Sequence, residues 1–525
     1  MKWNSIRTKT WRDITEWNAM LYPDKVAFYE VATGRQWTFK EHNEVVNKLC
    51  NALYGLGLEK GDRTAVLAGD LIEYCQIAMI GKAGLVYVPI NWRLTEREAV
   101  HIINESGAKV LVVDEEHVDI VRSLKKDIPE VNHLICINAS PGDMLNYDDF
   151  IASASPEDPG VDVEETDILG LAYTSGTSSL PKGVVRTHGD VLTSDVLQVR
   201  DPRYRHDDSF LGVLPLFHVA MLHVQFAMYM IGATQYIMRF EPKAVMETIQ
   251  KYKTTVFVAV PTMVINIMEH PDFPKYDLSS LRVLLYTGSP MPTEAAKKAW
   301  NALGPILFQM FGATEGGGTI LLAEDHAKAF SDTSKEHILS SAGRPLIGAV
   351  LKIVDDNDNE VPVGTMGEIC FSTKGMPDRY WNRPEETAET FKDGWFHTGD
   401  MGKMDEEGYI YILDRKKDII ISGAENVSAR EVEEIIYTHP VVQECAVIGV
   451  PSERWGEEVK AIVVTRQGMT VTPDEIVEYC QDKMAGYKRP RSVEVWEELP
   501  KNPSGKILKR EIRERYWTGE KRRVH

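Results

Sequence analysis

The stretch Tyr173-Thr174-Ser175-Gly176-Thr177-Ser178-Ser179-Leu180-Pro181-Lys182-Gly183 gathers hydroxyls, two glycines and one lysine between apolar segments. Backbone N–H groups freed by glycine, hydroxyl donors and a lysine are the groups a polyphosphate needs around it. The spacing is not that of a Walker A loop, because no Gly-Lys-Ser/Thr follows a glycine at the required interval. A nucleoside triphosphate held by another scheme is therefore the first expectation. In Gln309-Met310-Phe311-Gly312-Ala313-Thr314-Glu315, an aromatic ring able to cover a purine precedes a carboxylate able to hold a metal beside phosphates. In Gly394-Trp395-Phe396-His397-Thr398-Gly399-Asp400, a turn-borne carboxylate is suited to accept from ribose hydroxyls. Two lysine-bearing stretches complete the set, Asp414 to Asn426 and Pro500 to Lys509.

These segments need a scaffold, and the apolar periodicity supplies one. Thr64–Ala68, Val86–Ile90 and Lys109–Asp114 read as strands, with helices over Ile72–Ala83 and Glu96–Glu105 between them. Strands spaced by amphipathic helices imply βαβ units and parallel sheets. The pattern returns at Val256–Val260 and at Leu281–Tyr286, which runs into Thr287-Gly288-Ser289-Pro290. Open α/β sheets bind ligands outside the carboxyl ends of their strands, so these small residues are candidate ligand contacts. From about Val350 short strands and turns suggest a β-rich subdomain. Beyond Asp414 an α+β pattern follows, with helices near Ala429–Thr438 and Pro473–Met484 and strands near Ala446–Val450 and Val459–Thr465. The fold class is α/β: a large N-terminal domain over residues 1–414 and a small α+β C-terminal domain over 415–525.

At 525 residues the chain is too long for one core. Its 43% hydrophobic and 26% charged content are those of a globular protein, and a net charge of −19 argues against nucleic acid as a partner. Six scattered cysteines form no CxxC pair, which suits free thiols in a reducing cytoplasm. The N-terminus has no apolar h-region of a signal peptide. Phe210 to Met238 lacks Asp, Glu, Lys and Arg, but Pro215, His218, His223, Gln225, Gly232 and Gln235 interrupt it. A buried strand and helix beside a pocket is the expectation there, not an integral membrane segment.

In this order and over essentially the whole length, the five stretches resemble the adenylate-forming superfamily. Within it, they are most similar to acyl-CoA synthetases of the fatty-acid and 4-coumarate ligase type. The resemblance implies a mobile C-terminal domain and two half-reactions. A carboxylate and MgATP give acyl-AMP and pyrophosphate, and CoA then displaces AMP to give the thioester. ATP, Mg2+ and CoA are thus the implied small molecules, with a carboxylic acid as the fourth.

The resemblance also assigns roles. Thr174, Ser175, Gly176, Thr177 and Lys182 match the loop that orders around the β- and γ-phosphates. Glu315 matches the magnesium ligand, with Thr314 beside it on the phosphate. Gly288, Ser289 and Pro290 match the segment along the adenine. Gln309, Met310, Phe311 and Gly312 complete the nucleotide site, with Phe311 standing where tyrosine is more usual. Asp400 and Arg415 match the pair on the ribose hydroxyls. Lys506, after Ser504-Gly505, matches the catalytic lysine that offsets repulsion between the carboxylate and the α-phosphate. Lys417 falls at the hinge, and Gly423 where the pantetheine arm of CoA passes. His218 matches a gate on the carboxylate site. Departures are Ser178 for threonine, Ser179 for glycine, and Ala424 for a second glycine. Lys509 and Arg510 read as a solvated basic face.

The acyl group is less legible. Met221, Leu222, Val224, Phe226, Met228 and Met263 suit either an acyl pocket or plain core. Gly316-Gly317-Gly318 leaves room for a chain or ring, favouring a medium or long fatty, aromatic or alicyclic monocarboxylic acid. No fixed cation for a second carboxylate is evident, with Arg239 as the residual candidate. An acyl-AMP ligase loading a carrier protein, and a non-catalytic binding paralogue, stay open beside the synthetase. So does a homo-oligomer.

Overall fold

The computed structural model describes residues 9–174, 180–289, 291–415, 418–422, 425–452, 456–481, 483–501 and 507–517. Ser175, Gly176, Thr177, Pro290, Lys417, Gly423 and Lys506 lie outside the described residues, as does the side chain of Arg415. The chain forms two compact units: Met1–Gly176, Leu180–Leu351 and Phe371–Phe396 make the first, and Thr177–Ser179, Lys352–Cys370 and His397–His525 the second.

Two sheets build the first unit. In the seven-stranded sheet the order runs Leu145–Asn146, His133–Ile137, Ala108–Asp114, Arg63–Leu67, Val86–Pro89, Ile168–Tyr173, Gly183–Thr187. Every pairing is parallel except the last. The nine-stranded sheet has parallel Leu307–Ala313, Val283–Thr287, Val256–Ala259, Ser209–Gly212, Thr234–Ile237 and Val26–Glu30 at its centre. Antiparallel strands close both edges, Gly316–Leu321 and Arg344–Pro345 on one side and Gln36–Thr38 on the other. The central strands are apolar on both faces, as Val256–Ala259 is throughout, because helices cover both sides of a parallel sheet. One continuous core passes from Val66 and Val110 in the first sheet, through Phe39, Val46 and Tyr229 on helices, to Phe210 and Val258 in the second.

The helices begin where the local chemistry says they should. Thr38 and Thr95 accept from the backbone N–H of Glu41 and Glu98, and those glutamates reach back to the cap residue. Val219–Met230, expected as a buried helix, is one, flanked by Ser209–Gly212 and Thr234–Ile237. Among the described residues, no helix is long and apolar enough to cross a membrane. All six cysteines are buried free thiols.

In the second unit, Asp400–Met404 pairs antiparallel with Ile410–Arg415. A further sheet orders Glu425–Val427, Ile420–Ser422, Gly456–Thr465 and Val442–Ser452, with Ser492–Val495 parallel to Gly456–Thr465. Helix Ala429–Tyr437 presents Val432 and Ile436 to Val447 and Val459. Two expectations need correcting. The helix from Pro473 ends at Tyr479 rather than near Met484. Lys509 is not solvated: its ammonium lies 2.9 Å from the Glu433 carboxylate, with both side chains less than a fifth exposed. Arg510 is half exposed and pairs with Glu514 at 2.7 Å, so the solvated reading holds for it alone.

Candidate active site

Two hairpins, one from each sheet of the first unit, carry the described candidate phosphate and metal groups. Ile168–Tyr173 turns back as Gly183–Thr187, with Tyr173 opposite Gly183. The base of this hairpin is closed by Thr174 N–H donating to the Lys182 carbonyl at 3.0 Å, and by Lys182 N–H donating to Thr174 Oγ1 at 3.3 Å. The nucleotide-loop candidates Thr174 and Lys182 are thereby held opposite each other.

The second tip joins Leu307–Ala313 to Gly316–Leu321 with Ala313 opposite Gly316, leaving Thr314 and Glu315 as the turn. Gly316 and Gly317 follow at φ +120° and +80°, where a side chain is strained. A Cβ on Gly317 would stand 2.6 Å from Phe371 Cδ2. The hairpin tip therefore requires these glycines, independently of any ligand.

A residue the sequence reading missed links the two tips. Tyr380 bridges to Val184, and Trp381 N–H donates to the Gly183 carbonyl at 2.7 Å, so this segment lies along the free edge of the first hairpin. Tyr380 donates its hydroxyl hydrogen to Glu315 Oε1 at 2.7 Å. The Lys182 ammonium sits 5.0 Å from the centre of the same ring. Burial first, and then the neighbouring Glu315 carboxylate, push the Tyr380 phenol well above its ordinary pKa, so it stays a donor. Only the aromatic residue itself, Tyr380 before Trp381, was visible in the sequence; nothing there tied it to Glu315.

The strand ends of the nine-stranded sheet place the remaining nucleotide candidates. Tyr286 pairs with Gln309 and Thr287 with Met310, and Thr287 Oγ1 donates to the Met310 carbonyl at 2.8 Å. Gly288 follows at φ +87°. Gln309 is buried and its amide oxygen accepts from Tyr286, which also bonds His326, so Gln309 braces the strand end. Phe311 is half-buried, its ring 6.3 Å from Phe371. Ser289 and Gly312 are exposed beside these strand ends. His218 is exposed and caps the helix Val219–Met230, its Nδ1 accepting from Ala220 N–H.

Of the two readings open for the candidate acyl residues, plain core holds for five of the six. Met221, Leu222, Val224, Phe226 and Met228 are buried core. A cavity in this unit is lined instead by Gly316, Gly317, Gly318, Leu346, Thr373 and the polar trio Arg186, Gln198 and His223. Arg239, the candidate cation for a second carboxylate, lies elsewhere, paired with Glu116 at 2.9 Å on the surface.

In the second unit, Asp400 and Arg415 are directly opposed in the strand register. Asp400 is 5% exposed, and its N–H donates to Thr398 Oγ1. In the intervening turn Asp405 Oδ1 accepts from the N–H groups of Glu407 and Tyr409. Among the described residues no cluster of three His, Cys, Asp or Glu could enclose a metal.

A carboxylate and a lysine on two neighbouring hairpins, beside the carboxyl ends of parallel strands, thus mark the candidate site of an α/β fold. Residues 15–381 match the AMP-binding enzyme family and residues 431–506 the AMP-binding enzyme C-terminal domain. The chain is 36% identical to a feruloyl-CoA synthase of Amycolatopsis sp, covering 92% of this chain and 94% of that one. It is 34% identical to the fatty acid–[acyl-carrier-protein] ligase ScoC of Streptomyces coeruleorubidus, covering 94% of each. A Mycobacterium tuberculosis fatty acyl CoA synthetase structure superposes with a TM-score of 0.78 at 34% identity, covering 98% of this chain and 99% of that one. The chain belongs to the AMP-binding enzyme family, as an AMP-forming acyl-CoA synthetase.

Proposed function

We propose that this ligase activates a fatty, aromatic or alicyclic carboxylic acid larger than acetate, and that the two hairpin tips joined by Tyr380 form its phosphate side. In the first half-reaction a carboxylate oxygen bonds to the α-phosphorus of ATP and pyrophosphate leaves. In the second the CoA thiol bonds to the acyl carbon, loses its proton, and AMP leaves. Both anionic partners of the first step repel, so cationic and N–H donors are needed where the charge gathers.

Lys182 and the Thr174 hydroxyl would hold the leaving pyrophosphate. Glu315 would hold Mg2+. An ion that keeps most of its ligands from water and phosphates needs only one protein carboxylate, and one is what the hairpin offers. When bound, that ion supplies charge neutralisation on the phosphates. Tyr380 keeps the Glu315 carboxylate oriented, and Phe311 and Gly288 would flank the adenine. Asp400 and Arg415 would take the ribose hydroxyls. For Lys506 we propose the electrostatic bridge between carboxylate and α-phosphate, for His218 the acyl gate, and for Lys417 and Gly423 the pivot and the pantetheine contact. On this reading residues 415–525 move as a unit between the half-reactions. The six buried free thiols support a cytoplasmic setting.

The single observation carrying the reading is the Lys182–Tyr380–Glu315 arrangement, which unites the phosphate-loop lysine with the candidate metal carboxylate. The likeness to ScoC supports a second reading, in which a carrier-protein thiol replaces CoA. Both are tested by measuring pyrophosphate release over a panel of acids, with CoA, with a phosphopantetheinylated carrier protein, or with neither, and weighing the products. CoA thioester with at least one acid is the expected result. Carrier thioester without CoA thioester would establish the second reading, and no pyrophosphate with any acid would sink both.

A further inference from the structure

The cavity behind the Glu315 hairpin is apolar along Gly317, Gly318 and Leu346 but polar at Arg186 and Thr373. Arg186, on strand Gly183–Thr187, is 5% exposed. Its Nη1 donates to His223 Nε2 at 2.7 Å, and His223 Nδ1 lies 2.7 Å from the Gln198 amide, so one end of the guanidinium is fixed. Burial, and then the Arg186 charge, hold His223 well below its ordinary pKa, so it accepts as a neutral imidazole. The other edge, Nε and Nη2, is buried with no hydrogen-bond partner. The Thr373 hydroxyl lining the same cavity is also buried without one.

The surrounding carboxylates do not satisfy this edge. Asp195, on helix His188–Arg200, is fully buried with neither oxygen partnered. Asp190 is engaged by Thr187 N–H at 3.1 Å. Among the described residues the guanidinium makes no ion pair. A buried cation with two idle donors costs stability, and native structures keep such groups where something else completes them. The Nε–Nη2 edge is the flat two-donor fork that a carboxylate or paired oxygen acceptors fill.

Resting on the synthetase reading, we propose that the acid this enzyme activates carries a second oxygen function beyond its reacting carboxyl, accepted by the free edge of Arg186 with Thr373 beside it. A distal carboxylate would use both guanidinium donors, and a ring hydroxyl or methoxyl one of them. The substrate is then an oxygenated aromatic, alicyclic or dicarboxylic acid rather than a plain hydrocarbon chain. Arg186, His223, Gln198 and Thr373 set specificity, and His223 and Gln198 act by positioning Arg186.

The test compares kcat/KM for pyrophosphate release between matched acids: one bare carbon skeleton, the same skeleton with a distal hydroxyl or methoxyl, and the same skeleton with a distal carboxylate. The native enzyme should favour an oxygenated acid over the bare one by well over tenfold, because a site whose buried polar groups are otherwise left unpaired can discriminate by as much as about 10^4. The preferred member tells carboxylate from neutral acceptor. Arg186→Met should collapse that ratio toward one, chiefly through KM. Thr373→Val, which keeps side-chain volume, should reduce it in part, and decides the matter if Arg186→Met does not fold. A native preference for the bare acid would overturn the inference and leave the synthetase reading intact, as would variants that slow all the acids equally. No turnover with any acid would instead overturn the synthetase reading itself.

Discussion

Tyr380 donates a 2.7 Å hydrogen bond to Glu315 while its ring lies 5.0 Å from the Lys182 ammonium, so one side chain spans the tips of hairpins from two different sheets. The candidate phosphate lysine and the candidate metal carboxylate are therefore not independently placed. Movement of either hairpin is felt at the other through one phenol.

Removing that hydroxyl should show the coupling. Tyr380→Phe keeps the ring under Lys182 and deletes only the donor. A hydrogen bond to a charged carboxylate is worth about 1.5–3 kcal/mol, so adenylation should fall roughly tenfold to a hundredfold, with a raised Mg2+ requirement. Glu315→Gln should be far more severe. Pyrophosphate release titrated against Mg2+ checks both, and an unchanged Mg2+ dependence in Tyr380→Phe would separate the phenol from the metal.

Asp400 and Arg415 are opposed in register in the second unit. If they hold ribose hydroxyls, Asp400→Asn should raise the KM for ATP by about tenfold or more with little change in KM for the acid, the mark of a lost binding contact. Steady-state kinetics with each substrate varied in turn would reveal a uniform loss, which would point to a merely structural aspartate.

Two lysines three residues apart should behave oppositely. Lys506→Ala should abolish adenylation yet spare thioester formation from supplied acyl-AMP, with an unchanged melting temperature. Lys509 is buried against Glu433. Burial opposes its charge, yet Glu433, Asp414 and Asp418 outweigh that and hold its pKa above the ordinary lysine value. Lys509→Ala strands the Glu433 carboxylate, which also accepts from Val447 N–H, and should cost about 3–5 kcal/mol. Calorimetry on the two variants distinguishes the proposed catalytic lysine from the structural one.

His188 gives a pH prediction. Its Nδ1 accepts from Trp11 N–H at 3.0 Å and its Nε2 donates to the Gly81 carbonyl at 3.1 Å, a pattern only the neutral ring can make. Burial, chiefly, lowers its pKa from 6.5 to about 4. The unfolded chain takes up this proton below pH 6.5 and the folded chain only near 4, so the contribution is complete above 6.5 and lost as pH falls through that window. The loss amounts to about 3 kcal/mol. Unfolding followed from pH 7.5 to 4 should show this slope, and His188→Gln should flatten it.

The chain itself determined the α/β layering, because apolar runs at strand length alternate with capped amphipathic helices, and Thr38 with Glu41 or Thr95 with Glu98 are complete signals within four residues. It also marked the loops proposed for phosphate binding, since donors such as Thr174 and Lys182 or the Thr314-Glu315 turn sit close together along it. Contacts between distant segments were beyond it. Tyr380 meets Glu315 across 65 residues because its segment adds to the edge of a sheet, and Lys509 meets Glu433 because the helices that carry them, Lys509–Glu514 and Ala429–Tyr437, both pack on strand Val442–Ser452. The same holds for Arg186, which reads as an ordinary strand residue and became a buried, half-satisfied cation only when His223 and Gln198 from two helices fixed one end of it. Local propensity is written every few residues, whereas burial and partnership belong to the packed whole, so the class of chemistry was legible and the cavity around Arg186 was decided by the fold.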